Sequence, residues 1–126
     1  MEEQTLTFAQ RKVIMERNAI LNTVNRPARD YYEKVLNVDN VIFDENPRTI
    51  TLEDGTEAGE AYKSSYHSVD EGWIDSYTLA CNSFAKLLVD SLGQGPWEEP
   101  IQITFKGQVT KRHKKDGRIT DTVSLA

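Results

Sequence analysis

Apolar residues recur at Ile74, Tyr77, Cys81, Phe84, Ala85, Leu88 and Leu92 with the three-to-four spacing of one helix face. Leu87 and Val89 widen that face. The pattern predicts a long central helix over 68–93, and the rest of the chain is expected to fold around it. Ser68 and Glu71 have the spacing of a capping box at its start. Asp70 and Glu71 place negative charge at the positive end of its dipole. Gly93 suits the left-handed position just past the end, and Gly95-Pro96 forbids continuation.

Before this helix the pattern is less regular. Thr7 and Gln10 form a second candidate capping box, with residues 1–6 read as frayed. A helix over 8–24 would bury Phe8, Val13, Ile14, Met15, Ile20, Leu21 and Val24. Asn25-Arg26-Pro27 interrupts it. Pro27 fits the first turn of a further helix over 28–36, with Tyr31, Tyr32, Val35 and Leu36 on its buried side; one helix kinked at Pro27 is the alternative. Residues 41–43 read as a short strand. Residues 48–52 and 56–62 read as a hairpin closed by Asp54-Gly55, and 63–67 as a polar connection. Trp97, in the loop 94–100, reads as a lid on the core, the alternative being an exposed binding residue.

The last segment, 101–126, alternates on both sides of a turn at Lys115-Asp116-Gly117. Ile101, Ile103, Phe105, Gly107 and Val109 share one face, and Ile119, Val123 and Leu125 share another. Directly opposed residues lie on the same face of a hairpin. A two-residue turn mixes the faces. A three-residue loop with Gly117 at the bulge position pairs Lys114 with Arg118, Val109 with Val123, Gly107 with Leu125 and Lys111 with Asp121. That register puts Lys106, Arg112, Lys114 and Arg118 together on the wet face. Helices segregated from an antiparallel sheet of hairpins give a small α+β fold, one domain over 1–126.

Composition narrows the class. With 38% hydrophobic and 28% charged residues in 126, the chain is an ordinary globular domain rather than a disordered one. It shows no apolar run of membrane-spanning length and no secretory signal, and its single cysteine cannot form an internal disulfide. A reducing, cytoplasmic setting is expected.

Charge changes the picture more. The net charge is −5, which opposes non-specific adhesion to nucleic acid or an anionic membrane. Within 106–118, however, Lys106, Lys111, Arg112, Lys114, Lys115 and Arg118 stand against Asp116 alone. That segment carries +5 and leaves −10 for the remainder. The protein reads as an acidic body with a basic hairpin tip, either an anion-binding finger or a solvated tip that blocks edge-to-edge aggregation.

Candidates for chemistry are weak. His67, Asp70, Glu71 and Asp75 are close in sequence and of acid–base type, but meet no metal spacing. Cys81 lies on the apolar stripe and reads as structural. Ser64 and Ser65 lack a nucleophile-elbow context, and there is no glycine-rich phosphate loop. Glu53, Asp54, Glu57 and Glu60 crowd the first hairpin and read as solvated. The expectation is therefore a non-enzymatic binding or regulatory protein without metal or cofactor. It would engage nucleic acid or an acidic protein surface through Lys106, Arg112, Lys114 and Arg118. One alternative is a small-molecule binder or small enzyme with a pocket near Tyr66, His67 and Trp73. Another is a self-associating structural subunit using residues 8–24. A short chain without motifs also suits an accessory protein of a phage or mobile element.

Overall fold

The computed structural model describes residues 8–51, 57–109 and 119–126. Among them the order is α1 (Phe8–Asn22), β1 (Arg26–Pro27), a single 3-10 turn (Ala28–Tyr31), β2 (Val35–Phe43), β3 (Arg48–Thr51), β4 (Glu57–Ala61), β5 (Ser64–Ser68), β6 (Gly72–Ser76), α2 (Leu79–Leu92), β7 (Ile101–Val109) and β8 (Ile119–Leu125). Six strands form one sheet in the order β1-β6-β5-β2-β7-β8, while β3 and β4 pair separately. In the large sheet only the two-residue β1 runs parallel to its neighbour; the other pairs are antiparallel. The fold is α+β, one helix at the N-terminus and one central, packed on this sheet.

Strand alternation builds the core. Leu36, Val38, Val41, Tyr66, Ile74, Ile103 and Phe105 point to one face, where Cys81, Ala85 and Leu88 of α2 meet them. Tyr66 and Phe105 pack edge to face with centroids 5.1 Å apart, a preferred aromatic geometry. The Tyr66 hydroxyl donates to the Cys81 carbonyl at 2.5 Å, so its one polar atom is satisfied at full burial.

The central helix is shorter than the sequence pattern predicts. It starts at Leu79, where the Thr78 hydroxyl accepts from the Cys81 N–H. It ends as expected at Gly93, with φ of 80° and its N–H on the Val89 carbonyl. Residues 68–76 belong instead to a hairpin. Ser68 does accept from the N–H groups of Asp70 and Glu71, at 3.3 and 3.2 Å. These bonds close the turn between β5 and β6 rather than a helix; a serine hydroxyl serves either purpose. Gly72, with φ of 85°, faces Ser68 across the turn. A left-handed residue there suits a hairpin and disfavours a helix interior.

The segment 28–36 also departs from the helix expected of it. A single 3-10 turn covers Ala28–Tyr31, Glu33 takes φ of 64°, and β2 begins at Val35. Its β-branched residues Val38, Val41 and Ile42 favour the pleated surface. The strand expected over 41–43 is the end of this nine-residue strand. Tyr31 and Leu36 are buried as expected, whereas Val35 is exposed.

The pairing of β7 with β8 is present, with a different register. Val109 faces Ile119, Gly107 faces Asp121, Phe105 faces Val123 and Ile103 faces Leu125. The expected pairs Val109–Val123, Gly107–Leu125 and Lys111–Asp121 are therefore corrected. The observed register pairs apolar residues three times, and a slip by an even number of residues does not exchange the faces. The expected frayed terminus, the Thr7 cap, the Asp54-Gly55 turn and the three-residue loop at Gly117 lie outside the described residues.

Candidate functional site

The candidate site begins where β7 and β8 end. Lys106 faces Thr122 on β8 and is exposed on the outer side of the sheet. It shares a shallow depression with Glu33, Val35, Thr104 and Ser124. Among the described residues its ammonium makes no ion pair. Arg112, Lys114 and Arg118 lie outside the described residues; the ladder fixes only that residues 110–118 connect Val109 to its partner Ile119.

The root of this connection is latched to the core by Asp121. Its carboxylate accepts from the Tyr32 hydroxyl and, at 2.8 Å, from the Ser76 hydroxyl. Its carbonyl accepts from the Thr78 hydroxyl at 2.9 Å and the Cys81 thiol at 3.7 Å. β8 is an edge strand of the sheet, and these bonds tie it to the start of α2. Burial and the Asp121 carboxylate push the Tyr32 hydroxyl pKa up, which keeps it a donor. Burial likewise raises the Cys81 thiol. A reactive cysteine needs the opposite shift, so Cys81 is structural in chemistry as well as in place.

The residues of the alternative pocket do not converge. Tyr66 is fully buried on the core face. His67 and Trp73 are paired across β5 and β6 on the outer face, with ring centroids 5.0 Å apart. His67 Nδ1 lies 2.6 Å from an Asp39 carboxylate oxygen. The acid–base cluster is dispersed too. Asp70 and Glu71 are exposed at the turn, and Glu71 lies 3.6 Å from Arg26. Among the described residues no three His, Cys, Asp or Glu side chains are grouped to hold a metal.

Asp75 has a different task. It is buried, 3.3 Å from the Lys63 ammonium, which is buried as well. It accepts from Ser65 at 2.7 Å and from the backbone and side chain of Asn25 at 2.9 Å each. Lys63 in turn donates to the Leu21 and Thr23 carbonyls at 2.6 and 2.8 Å. The end of α1 is thus fastened to the outer face of β5 and β6. Sequence reading missed this pair because Lys63 sits in a short polar run that resembles a loop.

It also missed a groove of about 350 Å³ between α1, the second half of β2 and the loop after α2. Its residues are scattered over four segments, and no sequence spacing links them. Trp97, beside this loop, is half-buried against the core and donates its indole N–H to the Gly93 carbonyl at 2.9 Å, close to the lid expected of it.

No family model matches the chain, and no curated protein or solved structure matches it. No described helix is long and apolar enough to cross a membrane.

Proposed function

We propose that the protein is a non-enzymatic binding protein that engages an anionic macromolecular surface through Lys106, Arg112, Lys114 and Arg118. The observation that carries this reading is the charge distribution: +5 within 106–118 on a body that sums to −10. Two structural facts support it. The segment emerges from a long antiparallel pair whose root is latched by Asp121, so its base is held on a rigid scaffold. Lys106 is exposed on the outer face, with no described carboxylate in ion-pair contact. Arginine grips a phosphate or carboxylate with two parallel hydrogen bonds, while lysine acts as a point charge.

The class of anion is tested by titrating the protein with duplex DNA, single-stranded RNA and poly-glutamate at low salt. Binding to at least one, lost in an Arg112→Glu/Lys114→Glu variant, is the expected result. If none is bound, the basic segment is a solubility device. Nucleic acid would show a steep salt dependence from counterion release. An acidic protein surface would show a gentler one, mainly in the association rate.

A further inference from the structure

The groove between α1 and α2 opens onto a stretch of unpaired sheet edge. β2 pairs with β5 from Val38 to Phe43, but with β7 only from Val35 to Val38. Beyond Val38 no described strand lies on the β7 side of β2. The Asp44 N–H donates to the Lys63 carbonyl at 3.0 Å, at the end of the β5 side. Main-chain groups in an antiparallel ladder point to alternate sides of a strand. Ile42 and Asn40 therefore turn toward β5, while Val41 and Phe43 turn their N–H and C=O groups toward the groove. Among the described residues those four groups have no hydrogen-bond partner. Val41 is only 3% exposed, so water reaches its N–H and C=O poorly. Main-chain groups hidden from water without a partner are costly.

The surroundings suit one more strand. α1 lies against the outer face of the sheet here and α2 against the inner face, so a chain laid along β2 is covered on both sides. Ile20 and Val89 supply apolar contacts from the two helices. Among the charged lining residues Glu16, Glu45 and Asp90 stand against Arg17 alone, although Glu16 also meets Lys12 at 4.0 Å. Glu98 and Glu99 are exposed soon after Pro96 in the same loop. That loop bounds the open edge, where the Trp97 N–H donates to the Asp39 carbonyl at 2.7 Å. The groove is thus an apolar slot with an acidic rim and a free strand along its floor.

We propose that the groove binds an extended peptide segment of a partner protein, which joins the sheet as a strand against Val41 and Phe43. Strand addition takes its affinity from main-chain hydrogen bonds and its specificity from alternate side chains. The apolar walls on both faces call for β-branched or aromatic residues in the segment. The acidic rim calls for lysine or arginine at its ends, whose aliphatic stems suit an apolar margin. Binding then satisfies the four main-chain groups of Val41 and Phe43.

The test uses the full chain and a displayed library of short random peptides. Selection should enrich sequences with β-branched or aromatic residues between lysines or arginines. An enriched peptide is then made as such and in two copies, each N-methylated at one alternate set of amides. Only one set pairs with β2 in an added strand. One copy should therefore bind about tenfold or more weakly than the parent, and the other should bind nearly as well. Hydrogen exchange at the Val41 and Phe43 amides should slow about tenfold or more when the parent peptide is bound. The variant Glu45→Lys/Asp90→Lys changes two exposed positions, should stay folded by circular dichroism, and should bind the peptide about tenfold or more weakly. Failure to enrich, enrichment of acidic sequences, methylated copies of equal affinity, or unslowed amides at Val41 and Phe43 each overturn the proposal. So does a folded groove variant that binds as wild type does. Amides that slow as the protein alone is concentrated would give the edge to a second copy and overturn the peptide partner.

Discussion

At the scale of single residues, the structure is most exposed to loss where charge is buried. Lys63 and Asp75 are almost fully removed from water, and each satisfies the other. Removing one partner of such a pair leaves an uncompensated charge, typically at a cost of about 3–5 kcal/mol. Asp75→Ala should destabilise the protein by that amount in denaturant melts, with the Lys63 ammonium left to two carbonyls. A loss under about 1 kcal/mol, the range of surface pairs, would show that the pair is not buried in solution. The tyrosines give a second expectation. Burial raises the pKa of Tyr66 well above its ordinary value, and burial with Asp121 raises that of Tyr32. Their folded pKa values exceed the unfolded value of about 10. Their contribution is therefore fully present below about pH 10 and is lost as pH rises beyond it. Stability should fall on the alkaline side, with phenolate absorbance from these two tyrosines appearing only as the fold is lost. Their free titration in the folded protein near pH 10 would contradict the burial.

At the scale of elements, the loop after α2 approaches β2 closely at Gly95. A Cβ on Gly95 would stand 2.4 Å from the Asn40 side-chain oxygen and 2.8 Å from the Asp39 carbonyl. The side chain could turn away, but the carbonyl could not, because it accepts the Trp97 N–H at 2.7 Å. Gly95→Ala should cost about 1–3 kcal/mol, as overpacking does; a neutral effect in thermal melts would show that the loop stands off β2. The elements also show how far the sequence could be read. The α2 face from Cys81 to Leu88, its Gly93 end and the inner face of β7 at Ile103 and Phe105 were legible, because each carries a clean signal. The β3–β4 pair was legible from its turn residues. Leu87 and Leu92 of α2 and Leu125 of β8, expected on apolar faces, are exposed. The span from Ser64 to Ser76 was not. Ser65 and Asp75 are buried on the outer face under the end of α1, while Tyr66 and Ile74 are buried on the inner face. Strands buried on both sides lose their alternation, and Ile74 then falls in step with the helical spacing that follows. In α1 the apolar residues divide between faces. Leu21 packs inward, but Phe8 and Met15 are exposed, so the expected single stripe is absent. The Val109–Ile119 register escaped because alternation fixes a face, while a slip by an even number of residues, here from Val123 to Ile119, keeps every face unchanged.

At the scale of the whole molecule, charge is unevenly divided along the chain. A latched hairpin carries +5 in 106–118, and the remaining chain carries −10. The basic residues were legible in the sequence because they are contiguous, whereas the acidic-rimmed groove was not, because α1, β2, α2 and the following loop assemble it. A charge reversal at the tip leaves the apolar pairs and the Asp121 latch untouched, so it should alter binding and not folding. The most direct measurement is equilibrium binding of labelled heparin, a general polyanion, by wild type and the Arg112→Glu/Lys114→Glu variant across a salt series, with circular dichroism on both. Wild type should bind at low salt and weaken steadily as salt is added, and the folded variant should bind at least about tenfold more weakly. Equal affinities in two folded proteins would contradict the account at its centre.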